Sequence, residues 1–177
     1  MSVGTPKLDI VLSEDDLMNR VDVLAEALMP RLVGEWSAIN ILVGATPFTS
    51  DLMKALARRD IHPLLDALWL ESYRDERESS GRVLVRADIV RPVKGRGVLL
   101  IDDVFDTGRT LAFARSHILA KGAREVITVA LARKPWAPRG ADDVDFHAFD
   151  APGRFLVGYG MDDRGLYRGL PYIGALD

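Results

Sequence analysis

The sequence predicts an α/β fold, an open, mainly parallel twisted sheet flanked by helices. Three observations lead there: an apolar strand followed by a helical pattern at 38–59, a strand, helix and strand in succession at 98–132, and the absence of any repeat, low-complexity tract or Gly/Ser linker. The chain has 177 residues, 48% of them hydrophobic. A chain of that size buries most of the surface it exposes when unfolded, so one domain over 1–177 is expected.

From the amino end, Ser13 precedes "EDDLMNRVDVLAEALMPRL", in which Leu17, Val21, Leu24, Leu28 and Leu32 recur at three- and four-residue spacings. That spacing places them on one face of a helix capped by Ser13, and the acidic first turn suits the helix dipole. "AINILVG" at 38–44 reads as a buried strand, and "FTSDLMKALARR" at 48–59 as a helix started by Pro47 and closed by basic residues. "LLDALWLESY" at 64–73 and "RVLVRADIV" at 82–90 read as two strands flanking a charged loop, a long hairpin. After the turn "KGRG" come a strand at 98–101, an acidic loop and a helix at 109–120, with Gly122 as its stop. "EVITVALA" at 125–132 is a second, β-branched strand, and a short one is expected within 144–150. Strand, helix and strand with short connections imply parallel pairing by a right-handed crossover.

Composition narrows the function. A formal net charge of −3 argues against a chain that works on nucleic acid, which needs a basic face to displace counterions. No apolar run approaches the roughly 20 residues that span a bilayer, so no membrane partner is expected. The start "MSVGTPKLDIVLSEDD" lacks a secretory layout, and a cytoplasmic location is the expectation. No cysteine is present, which removes disulfides and thiolate chemistry.

The chemistry concentrates in "VLLIDDVFDTGRT" at 98–110. In open α/β sheets ligands sit beyond the carboxyl ends of the strands, and this stretch is such an end. Gly108 permits a tight turn, Thr107 and Thr110 offer hydroxyls, and backbone N–H groups at a helix start form an anion site that a phosphate fits. Asp102 and Asp103 cannot share that phosphate because like charges repel. They suit sugar hydroxyls or a magnesium ion. Acids beside a phosphate cradle suggest a phosphorylated sugar. A lone Asp-Thr-Gly is more often an N-capped turn, but here strand, paired acids, third acid and Thr-Gly-x-Thr follow in strict succession. No Gly-Lys-Ser/Thr follows, which excludes a Walker-type loop.

"VLLIDDVFDTGRT" resembles the phosphoribosyl-pyrophosphate signature of type I phosphoribosyltransferases. "ESYRDERESSG" at 71–81, "LARKPW" at 131–136 and "RFLVGYGMDDRGLYRGLPYIGAL" at 154–176 are similar to the hypoxanthine-guanine branch. The resemblance spans nearly the whole chain from the first helix, and the last segment is its most specific part. It implies a small hood formed by terminal segments and a mobile hairpin lid added to the sheet. It also implies transfer of ribose 5-phosphate from phosphoribosyl pyrophosphate to hypoxanthine or guanine, giving IMP or GMP and magnesium-bound pyrophosphate.

The resemblance assigns roles residue by residue. Asp106 matches the general base at the purine ring, and Asp102 and Asp103 face the ribose directly or through Mg2+. Asp106, Thr107, Gly108, Arg109 and Thr110 wrap the 5-phosphate. Lys134 matches the donor to the purine exocyclic oxygen, Phe155 the stacking ring, and Leu156 and Asp162 complete base and metal contacts. Gly44 and Arg168 match pyrophosphate contacts, and Ser72 and Tyr73 begin the lid. Without the resemblance, Lys134 reads as a solvated lysine, Phe155 as core and Asp106 as a helix cap. One place departs: Val43 stands where the branch commonly has a lysine, which puts pyrophosphate affinity in question. The family tends to form dimers or tetramers, so a homo-oligomer is expected. Two other functions compete: an RNA-binding regulator resembling the pyrimidine attenuation proteins, opposed by the acidic charge balance, and a transferase preferring xanthine.

Overall fold

The computed structural model describes residues 8–73 and 82–176. Its chain order begins with β1 (Asp9–Leu12), α1 (Glu14–Leu28), β2 (Trp36–Leu42), α2 (Thr46–Ala57), β3 (Leu64–Tyr73) and β4 (Arg82–Ala87). It continues with β5 (Gly97–Phe105), α3 (Arg109–Ala120), β6 (Glu125–Arg133), β7 (Phe146–Asp150), β8 (Phe155–Val157) and β9 (Ile173–Leu176). Six strands form one sheet in the order β4-β3-β2-β5-β6-β7, parallel throughout except for the β3–β4 pair at one edge. That is the mixed, mainly parallel α/β sheet the sequence predicts.

Both faces of this sheet are covered, as parallel strands require. Along β5, Leu99 and Ile101 join the core made with α1 and α2, whereas Val98 and Leu100 join the core made with α3. The period-2 alternation of a strand therefore divides one apolar run between two cores. In α1 the predicted stripe is buried at Leu17, Val21, Leu24 and Leu28, and Ser13 and Asp16 close a reciprocal capping box. The helix ends earlier than the spacing suggests: at Met29–Arg31 it tightens to a 3-10 turn around Pro30, whose ring cannot continue an α-helix.

The acidic stretch differs from expectation too. The strand predicted at 98–101 runs on to Phe105, because its ladder with β6 continues through Asp102↔Ala130, Val104↔Ala132 and Phe105↔Arg133. Asp102 and Asp103 are thus held within the strand instead of in the loop after it. The first parallel strand ends at Leu42, not Gly44, and α2 begins at Thr46 with Pro47 in its first turn. β3 and β4 pair antiparallel from Trp69↔Ala87 to Tyr73↔Arg82. The charged loop joining them, at 74–81, lies outside the described residues.

A second, three-stranded sheet, order β1-β9-β8, joins the two ends of the chain antiparallel. Its Leu156, Ile173 and Ala175 are buried in the same core as α1 and α2. Among the described residues no helix is long and apolar enough to cross a membrane.

Candidate active site

The site is built where β2, β5 and β6 end. Asp102 is buried, and the Asp103 amide donates to its Oδ1 at 3.0 Å. Burial pushes the Asp102 carboxyl well above the usual carboxylate range, and the neighbouring Asp103 charge pushes it further. Hydroxyl donors or a cation beside this pair would favour its ionised form. Gly44, in the loop after β2, packs directly on Asp103: a Cβ there would fall 1.8 Å from Asp103 Oδ2. Asn40 holds that loop, donating through Nδ2 to Thr46 Oγ1 at 3.1 Å and accepting from Thr49 Oγ1 at 3.2 Å. The Leu42–Val43 peptide is cis, and Val43 is half exposed.

Beyond β5 the chain turns sharply into α3. Gly108 is the N-cap residue with φ 74°, and no side chain caps the helix. The first-turn N–H groups are therefore left for an anion. Asp106 does not cap the helix, as its alternative reading supposed. It is exposed, and the Trp136 indole donates to its Oδ1. Thr107 and Arg109 are exposed and Thr110 is half-buried at the helix start.

Lys134 follows β6 directly, its amide donating to Phe105 O at 2.9 Å, so the ladder places it beside Asp106. It is buried, not solvated. Its ammonium donates to Arg154 O, and to Pro152 O at 3.4 Å. Burial lowers the Lys134 pKa, opposed by the charge of Asp106. Phe155 comes next to Arg154 and is exposed at the start of β8, while Leu156 is buried behind it. An aromatic ring exposed beside a buried lysine is a surface on which a flat heterocycle can stack.

The last cluster hangs on the terminal segment. Arg168 bridges Asp162 Oδ1 at 2.6 Å and Gly160 O at 2.6 Å, and the Gly165 amide donates to Asp162 Oδ2 at 2.6 Å. Arg168 and Asp162 therefore partner one another. Gly160, φ 100°, lies against the first loop: a Cβ there would fall 1.9 Å from Gly44 O. The residues connect in two chains of contact, Asp103–Gly44–Gly160–Arg168–Asp162 and Asp106–Trp136 with Lys134–Arg154. Asp162 does not join Asp102 and Asp103 in a ready cage, since among the described residues no group of three or more His, Asp or Glu could hold a metal. Ser72 and Tyr73 end β3, three and four positions past the Trp69 that pairs with the last residue of β2. Asn40, Trp136 and Gly160 carry no role in the sequence reading. Only Asn40 gave a signal, as a lone amide in an apolar strand.

Residues 39–164 match the phosphoribosyl transferase domain family. The chain is 34% identical over 168 residues to hypoxanthine-guanine phosphoribosyltransferase of Bacillus subtilis, covering 94% of this chain and 92% of that protein. This chain belongs to the type I phosphoribosyltransferases, in their hypoxanthine-guanine branch. A crystal structure of a hypoxanthine phosphoribosyltransferase from Staphylococcus aureus superposes with a TM-score of 0.87 at 32% identity, covering 96% of this chain and 91% of that one. The bifunctional protein TilS/HprT of Listeria innocua is 38% identical over 168 residues, 94% of this chain but 26% of that protein. The chain thus spans about a quarter of that relative's length.

Proposed function

We propose that this chain is a purine salvage transferase that moves the 5-phosphoribosyl group from phosphoribosyl pyrophosphate to hypoxanthine or guanine, releasing pyrophosphate and IMP or GMP. The observation that carries the reading is the meeting, at the carboxyl ends of adjacent interior strands, of buried Asp102 with Asp103 beside it, an uncapped helix N-terminus, and Asp106 beside a buried lysine. The bond from the sugar carbon to pyrophosphate breaks as the bond to a purine ring nitrogen forms, and that nitrogen gives up a proton. The sugar passes through a cationic, oxocarbenium-like state.

Thr107–Thr110 and the first amides of α3 hold the 5-phosphate, with Arg109 adding charge. Asp102 and Asp103 orient the ribose hydroxyls, and their charges favour the cationic sugar. Asp106 accepts the purine proton, a carboxylate whose value is in large part electrostatic. Lys134 donates to the exocyclic oxygen, Phe155 stacks on the ring, and the Leu156 backbone meets its edge. Gly44 and Arg168 meet the pyrophosphate. The paired carboxylates fit Mg2+, which takes one or two carboxylates together with phosphate oxygens. Asp102 and Asp103 would hold it, with Asp162 released from Arg168 as a third contact, and it neutralises leaving-group charge when bound. The terminal sheet serves as a hood over the base, and Ser72 and Tyr73 begin a lid that excludes water.

The chain is read as one domain over 1–177 acting in the cytoplasm as a homo-oligomer, dimer or tetramer. Exposed Leu65, Trp69 and Leu84 on β3 and β4 support self-association, which light scattering measures. The reading is tested by mixing the protein with phosphoribosyl pyrophosphate, magnesium and, separately, hypoxanthine, guanine, xanthine, adenine and uracil. Nucleotide from hypoxanthine or guanine is the expected product. None from either overturns the reading, and product from xanthine alone puts the xanthine-preferring transferase in its place. A gel shift with RNA across salt concentrations, expected to show no binding, removes the regulator alternative.

A further inference from the structure

Trp136 has no place in the roles above, yet its indole donates to the Asp106 carboxylate. Residues 134–137 form a tight turn closed by the Ala137 amide on Lys134 O at 3.1 Å, with Pro135 in the position where its fixed φ favours such a turn. Because β6 pairs with β5 up to Phe105↔Arg133, this turn stands directly beside the exit of β5. The indole is thereby thrown back across the strand end. Its Nε1 donates to Asp106 Oδ1, and its face lies 5.6 Å from the Lys134 ammonium. It also packs on Gly153, where a Cβ would come 3.2 Å from the indole Cζ3. Trp136 is 59% exposed, so burial of an apolar side chain does not account for its place.

We propose that Trp136 is a positioning residue that aims the Asp106 carboxylate at the purine. The idea rests on the transferase reading of Asp106 given above. A carboxylate on an exposed turn can rotate freely. Donation to Oδ1 removes that freedom and leaves Oδ2 to accept the proton of the ring nitrogen. Gly153 and Lys134 fix the indole itself, so orientation passes from the turn to the ring and from the ring to the acid.

Two measurements test this. In the 1H–15N spectrum of the tryptophan side chains, assigned among three tryptophans with Trp136→Phe, the Trp136 indole resonance of the wild type lies downfield and moves upfield in Asp106→Ala. An unmoved resonance overturns the contact, whatever the enzyme does. In steady-state assays Trp136→Phe, which keeps a ring but loses the donor, lowers kcat roughly tenfold, as expected for one charge-assisted hydrogen bond, and leaves KM for phosphoribosyl pyrophosphate within about twofold. In the Asp106→Ala background the same substitution causes no further loss. Equal losses in both backgrounds, or a loss confined to KM, overturn the positioning role. Failure of the wild type to form nucleotide from any base would instead defeat the transferase reading, and the spectrum would still report the contact.

Discussion

The six-stranded sheet and the three-stranded terminal sheet supply different halves of the site by different means. The large sheet presents Asp102, Asp103, Asp106 and Lys134 from nine-residue strands, and a backbone ladder carries their positions to the last residue of β5 and β6. The terminal sheet has strands of three and four residues. Between them lies a run of turns in which Tyr159, Arg164 and Tyr167 adopt positive φ values of 49°, 52° and 72°. There Asp162 and Arg168 are held by each other and by a few backbone atoms. Main-chain geometry thus fixes the acids and the lysine carried by the large sheet, whereas individual side chains fix Asp162 and Arg168 in the terminal segment.

The severest chemical break falls on the large-sheet half. Asp106→Ala should lower turnover by roughly 10²–10⁴-fold, as expected for a general base, while equilibrium binding of phosphoribosyl pyrophosphate stays within a few-fold. Equal loss of both would recast Asp106 as structural. Next in size is the junction between halves. Gly160→Ala sets a Cβ against Gly44 O, a backbone atom with little room to move, at a φ that side chains rarely adopt. A cost of about 2–4 kcal/mol in urea unfolding is expected. An unchanged midpoint would dissolve the junction.

Lys134→Met keeps the apolar stem but removes donation to Pro152 O and Arg154 O. A loss of about 1–3 kcal/mol in stability is expected, with KM for the purine rising more than KM for phosphoribosyl pyrophosphate. A reversed order of the two KM changes would assign Lys134 to the sugar instead of the purine. The smallest effect lies away from both halves, on α1. Hydrogen bonds from Arg59 and then Arg58 hold the Asp22 carboxyl at about 2. The unfolded chain takes up that proton near pH 4, so the stability Asp22 contributes is present above about pH 4 and is lost as pH falls toward about 2. Asp22→Asn should flatten the decline of melting temperature across that window and change little at neutral pH. An unaltered acid slope would show that the pair contributes nothing.

The two sheets also differed in how far sequence could reach them. Periods of 3.6 and 2 act over neighbouring residues, so Leu17–Leu28 and the β5 and β6 runs declared themselves. β5 extended further than its apolar run because pairing with β6 holds Asp102 and Asp103 in the ladder, and a neighbour strand is invisible to local pattern. The pieces DIVL, FLV and IGAL of β1, β8 and β9 are too short to show a period, and Asp9 meets Ala175 only once the fold exists. In the site, "DDVFDTGRT" carried its chemistry in composition and order. The Trp136–Asp106 and Arg168–Asp162 contacts depend on turns whose direction no spacing specifies.

Pairing of β1 with β9 gives the chain the topology of a nearly closed ring. Asp9 and Ala175 stand opposite each other in an antiparallel ladder, a separation of about 5 Å between Cα atoms. Anything joined at either end of the described chain therefore enters at one edge, on the same small sheet that carries Phe155. A fusion partner, an affinity tag or a circular permutation made through those ends would be felt first by this small sheet and by the exposed ring of Phe155 that it carries.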